Sequence, residues 1–219
     1  MKRLLRDNSL TLVLLGIFLA ALCGQALTGH GVDGEERRQH GLPERTLVAY
    51  LHSGAFLEAV FENWESEFLE MAALVFLSVF LHQRGAADSK PPGQDAKDAA
   101  MERHPPRDAP RAVRKGGLVL QIYSSSLTLA LVALFLLSFS MHALHGWRKQ
   151  VGDERMHGQA RPRFAEYVLG PQFWFESFQN WQSEFFGVAT MGLLSIWLRQ
   201  GGSPHSKPVA APHRQTGAS

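Results

Sequence analysis

Apolar residues in this chain fall into a few long runs, and the prolines and most of the charges lie between them. Ser9 to Leu27 reads SLTLVLLGIFLAALCGQAL and Ser126 to Leu144 reads SLTLALVALFLLSFSMHAL, both without formal charge. At about 1.5 Å of helix rise per residue, each run crosses most of a hydrocarbon core about 30 Å thick. Two weaker runs, Asn63 to Leu81 and Asn180 to Leu198, carry acidic residues near their starts: Glu65, Glu67 and Glu70 in one, Glu184 in the other. The pattern predicts an all-α integral membrane protein with four transmembrane helices at about 9–27, 63–81, 126–144 and 180–198.

The first run follows Lys2 and Arg3, so a cleaved signal peptide competes with a retained helix. Leu22 precedes Cys23 where a lipoprotein signal needs a small residue, and no small-x-small cleavage site follows. An internal duplication favours retention. Residues 8–91 align with 125–208 at a constant offset of 117 without a gap, and 30 of the 84 pairs are identical. Ser9-Leu10-Thr11-Leu12 matches Ser126-Leu127-Thr128-Leu129, His40-Gly41 matches His157-Gly158, Tyr50 matches Tyr167, and Ser89-Lys90-Pro91 matches Ser206-Lys207-Pro208. The longest shared segment, Asn-Trp-x-Ser-Glu-Phe, occupies Asn63–Phe68 and Asn180–Phe185. The second copy's first run is internal, so its counterpart in the first copy reads as a helix too. An even number of spans per copy points both copies the same way, which predicts two tandem hairpins in parallel repeat, 1–84 and 118–201.

Residues 85–117 hold Pro91, Pro92, Pro105, Pro106 and Pro110 among mixed charges and almost no large apolar side chains, which predicts a disordered linker; the tail, 202–219, has a similar composition. Lys and Arg number about 14 over the N-terminus, this linker and the tail, against about 8 over the other two loops. The positive-inside rule therefore puts both termini and the linker in the cytoplasm, N-in and C-in. The formal net charge is +2, so neither sign dominates and a nucleic-acid partner is not expected. A single cysteine, Cys23, excludes an internal disulfide framework and a multi-cysteine metal centre.

The duplicated Asn-Trp-x-Ser-Glu-Phe segment and the Ser-Leu-Thr-Leu starts of the uncharged runs resemble an uncharacterised bacterial family of small inner-membrane proteins, a domain of unknown function. The resemblance covers nearly the whole chain apart from linker and tail. It implies a multi-pass protein of the bacterial inner membrane and supplies no activity and no catalytic residues.

One constellation carries chemistry. On a helix, Asn63 and Glu67 lie four residues apart on one face, with Trp64 on a neighbouring face, and Asn180, Glu184 and Trp181 repeat the arrangement. No Lys or Arg lies inside any of the four runs, and a lone charged carboxylate at mid-bilayer costs about 2.5–3.5 kcal/mol on insertion scales. Glu67, Glu184, Asn63 and Asn180 are therefore the candidate polar or ion site, weighed against a packing role in which Trp64 and Trp181 anchor the interface. His142 and His145, three apart, have Gln25 and Thr28 in the first copy, and His40 and His157 read as loop caps before Gly41 and Gly158. Neither pair predicts a metal. No phosphate-binding loop, zinc-protease or serine-hydrolase motif occurs, so neither an enzyme nor a cofactor is expected. The expected partners are the lipid bilayer and either a second copy or another membrane protein. A structural or accessory membrane protein is the first functional expectation, and a small proton- or cation-translocating protein using the Glu pair is the alternative.

Overall fold

The computed structural model describes residues 2–91 and 93–217, and every regular element among them is a helix. In chain order these are α1 (Lys2–Asp7), α2 (Ser9–Gln39), α3 (Leu47–Leu51), α4 (Gly54–Leu77), α5 (Gln94–Arg103), α6 (Arg111–Lys115), α7 (Gly117–Ser124), α8 (Ser126–Met156), α9 (Phe164–Leu169) and α10 (Pro171–Trp197). The fold is all-α. Two of the described helices, α2 and α8, are long and apolar enough to cross a membrane, and none of the apolar window of α2 is buried. In α4 and α10 acidic and amide side chains interrupt the apolar run.

Both uncharged runs start their helices where the sequence places them, but α2 and α8 continue about twelve residues past Leu27 and Leu144. Leaving an apolar environment does not end a helix; a capping signal does. At His40-Gly41 the Leu42 N–H donates to the Arg37 carbonyl and the Gly41 N–H to Arg38, with Gly41 at φ +68°. At His157-Gly158 the Gln159 N–H donates to Glu154 and the Gly158 N–H to Arg155, with Gly158 also at φ +68°. Both helices thus close in a Schellman motif that only glycine enters without strain. The recurring His-Gly pairs are helix stops, and their imidazole rings lie edge to face at 4.9 Å between centroids.

The chain divides into two compact units, Met1–Phe61 with Ser140–Trp174, and Glu62–Phe139 with Phe175–Ser219. The offset of 117 residues recurs inside the first unit. Tyr50 is buried beside Gly29 and packs on Phe56 at 5.5 Å; Tyr167 is buried beside Gly146 and packs on Phe173 at 5.6 Å. His30 Nε2 donates to the Arg45 carbonyl at 2.7 Å, and Trp147 Nε1 donates to the Pro162 carbonyl at 2.9 Å, so different side chains make the same bond 117 residues apart. Other ties have no counterpart at that offset. Gly54 sits so close to α8 that an added Cβ would lie 2.6 Å from the Lys149 nitrogen and 2.8 Å from the His145 oxygen. The Lys149 ammonium donates at 2.9 Å to each oxygen of the buried Glu58 carboxylate.

The second unit holds α4 from Glu62 onward and α10 from Phe175 onward, the loops beyond them, α5 to α7 and the first part of α8. In each loop a backbone N–H, Gln83 or Gln200, donates to a serine Oγ, Ser89 or Ser206, at 2.9 Å, with Gly85 and Gly202 at φ +87° and +81°. Residues 85–117 carry α5 and α6, and the tail is hydrogen-bonded into the second unit. The fully buried Lys207 donates to the carbonyls of Gly85, His213 and Gln215, and the Gly217 N–H donates to Ala86.

Replacing Gly54 by Ala drives a methyl into α8 backbone and is expected to destabilise the protein by about 1–3 kcal/mol. Gly152→Ala, where no atom lies within 4 Å, is expected to be neutral or stabilising by up to about 1 kcal/mol through helix propensity. Thermal unfolding of the two purified variants against wild type checks the contrast.

Candidate functional site

Within the second unit, the acidic stretch of α4 that starts at Glu62 meets the Asn180–Glu184 stretch of α10. The helical repeat turns Glu62, Glu65 and Ser66 toward one side, and Glu65 and Ser66 are buried, Glu65 with no exposed surface. Asn180 Nδ2 donates to Glu62 Oε1 at 2.5 Å and also to the Glu176 carbonyl one turn back, at 3.1 Å. Trp181 Nε1 donates to Glu65 Oε1 at 3.1 Å. The indole ring meets Phe135, Phe139 and Phe178 with centroids 5.5–6.4 Å apart, which fixes its plane so that the N–H reaches the carboxyl group. Ser66 Oγ donates to the Asn63 carbonyl at 2.9 Å, so its hydroxyl is satisfied inside its own helix.

Of the residues singled out from sequence, Glu67 and Asn63 are exposed, whereas Glu184, Asn180, Trp64 and Trp181 are half-buried. Glu67 and Glu184 lie within electrostatic reach of each other, and the buried Glu70 feels both. The acidic partners of Asn180 and Trp181, Glu62 and Glu65, are not among the residues that recurrence selects. Gln179 and Gln182 occupy their places in the second copy, so a comparison of identical positions passes over them. The signal that could have found them is the run of five acidic residues, Glu58, Glu62, Glu65, Glu67 and Glu70, along about three and a half turns of α4 with donors at the matching height of α10.

A family model matches residues 1–218. The chain belongs to the family described as Domain of unknown function (DUF6766). No curated protein and no solved structure matches it. Membership in DUF6766 therefore fixes the extent of the family domain, and any chemistry has to be read from the site.

The first unit of this DUF6766 chain carries its own polar cluster. Arg45 bonds the Asp33 carboxylate, and Tyr50 lies beside them with its phenol pushed up, first by burial and then by the Asp33 charge. His145 stacks on Phe61 at 6.0 Å and 11° between planes, and the buried His142 lies 4.9 Å from Phe173, so both histidines are packed against aromatic rings. Asp153, near the end of α8, is held above the usual aspartate range by burial and by Glu36, with Lys149, His157 and Arg45 opposing.

The raised Asp153 favours the protonated carboxyl in the folded state. Its contribution to stability is fully present below the usual aspartate range and is lost as pH rises through the raised value. Asp153→Asn is therefore expected to raise the unfolding temperature at pH 7, with the gain shrinking as pH falls through the raised value and gone below about 4. A set of melting curves over pH on the two proteins checks the sign.

Proposed function

We propose that this protein is a multi-pass protein of the bacterial inner membrane with a structural or accessory role, built from four spans with both termini in the cytoplasm. The observation that carries the reading is the use made of the recurring segment: Asn180 and Trp181 are engaged by Glu62 and Glu65. In hydrocarbon such bonds are about as favourable as any a side chain can find, typically about 0.6–2 kcal/mol each, and they specify which helix faces meet. Polar groups tied up this way hold helices together and are poorly placed to pass an ion along. The α4 and α10 runs would then cross the bilayer with their acidic faces turned inward, which explains why hydropathy alone ranks them below α2 and α8.

A second reading has an observation of its own. Glu67, Glu70 and Glu184 lie within electrostatic reach of one another, and Glu70 lines a groove of about 550 Å³ with Leu74, Leu77, Phe185 and Val188. Acidic groups beside an open groove inside a membrane commonly belong to an ion route, so a proton- or cation-translocating role is the alternative.

Proton and monovalent-cation flux into proteoliposomes separates the two. The accessory role predicts no flux above empty liposomes for wild type and an unchanged melting temperature for the folded Glu67→Gln, Glu184→Gln double variant. Flux in wild type that vanishes in that folded variant would overturn it in favour of translocation. The topology is checked separately in a Cys23→Ser background: cysteines introduced at His52 and Gly170 should label from the periplasm, and one at Arg107 only after the membrane is permeabilised.

A further inference from the structure

The inner ends of the two recurring halves use their basic residues differently. Beyond α10, the Arg199 guanidinium donates to the carbonyls of Ser195, Ile196, Leu198 and Ala211, and the Lys207 ammonium to those of Gly85, His213 and Gln215. Arg199 thus joins the end of α10 to the tail, and Lys207 joins the tail to the loop that follows α4. Arg84 and Arg214, by contrast, are exposed, and neither forms an ion pair or a hydrogen bond among the described residues. With His82 and Lys90 they line one cavity of about 1130 Å³ whose described lining contains no Asp or Glu. Its remaining wall is partly aliphatic, from Val75 and Val79, and Val79 is 70% exposed. The cavity shares Ser78 and His82 with the groove of α4 and α10, whose wall is mostly aliphatic and aromatic with Glu70 and Asp88 in its lining, so the two are contiguous.

We propose that this cavity binds the headgroup of an anionic phospholipid, with Arg84 and Arg214 on the phosphate, the Val75–Val79 side of α4 under the glycerol, and an acyl chain in the contiguous groove. Charge complementarity decides the occupant: Arg84 and Arg214, unpaired among the described residues and beside an aliphatic surface, match a molecule that is anionic at one end and hydrocarbon at the other. A soluble anion would use the cations and leave the valines and the groove uncovered. The inference rests on the membrane reading above, and it places the site at the cytoplasmic leaflet, where basic residues meet anionic lipid.

The test uses the purified full-length protein in neutral detergent, titrated with short-chain phosphatidylglycerol, short-chain phosphatidylcholine or inorganic phosphate while its unfolding temperature is followed. Phosphatidylglycerol is expected to bind at least tenfold more tightly than phosphatidylcholine, phosphate alone is expected to leave the unfolding temperature unchanged, and Arg84→Gln with Arg214→Gln is expected to weaken the phosphatidylglycerol response roughly 25-fold. Arg84→Lys with Arg214→Lys, which keeps both charges, should retain most of the preference. If the Gln pair does not fold, Val79→Asp, which places an acid in the cavity from an exposed position, should remove the preference instead. Equal affinity for the two lipids, a response reproduced by phosphate alone, or a preference that survives in the Gln pair or in Val79→Asp would overturn the proposal. Alkaline carbonate extraction keeps the two readings apart. A protein that washes off the membrane overturns the membrane reading and this site with it, whereas one that stays while showing no lipid preference overturns the site alone.

Discussion

A carboxyl group withdrawn from water without a hydrogen-bond partner costs roughly 1–3 kcal/mol, more if it is charged, and Glu65 has no exposed surface at all. Its listener is the indole N–H of Trp181, held in line by three phenylalanine rings, and one turn earlier Glu62 takes the amide of Asn180. Once those two bonds are required, the register of α4 against α10 within that unit is no longer free, because sliding either helix by a residue separates both donors from both acceptors. The polar stretch that weakens these helices as hydrophobic runs is what aligns them.

The first unit is held by a different mix. Two Tyr-Phe pairs 117 residues apart, each with its tyrosine against a glycine, supply matching aromatic cores, while Gly54 and the Glu58–Lys149 pair tie α4 to α8 without any counterpart at that offset. A buried carboxylate such as Glu58 is tolerated because the ammonium meets both of its oxygens. Close approach at Gly54 and charge pairing at Glu58 lie about one turn apart, so the same stretch of α4 carries both.

Much of this was legible in the sequence. Uncharged runs with their Ser-Leu-Thr-Leu starts fixed where α2 and α8 begin, and the all-α class followed from the length of the apolar runs. The His-Gly pairs were readable as caps, although the length of helix leading to them was not, since apolar content stops near Leu27 and Leu144 while helical propensity and capping do not. Asn180 and Trp181 were found because they recur. Glu62 and Glu65 were missed for the opposite reason: an acceptor can be a carboxylate in one copy and an amide in the other, so identity tracks the donors and loses their partners. The Gly29–Tyr50 and Gly146–Tyr167 contacts recur fully but span about twenty residues, a separation at which no local periodicity connects them.

Trp181, one of the two tryptophans that recur at an offset of 117, serves as a hydrogen-bond donor to a buried acid. A double-mutant cycle on Trp181→Phe and Glu65→Met, which deletes the donor and the acceptor, is measured by reversible unfolding in detergent. The account predicts a favourable coupling of about 1–2 kcal/mol between the two side chains. Additive effects, with coupling near zero, would contradict it.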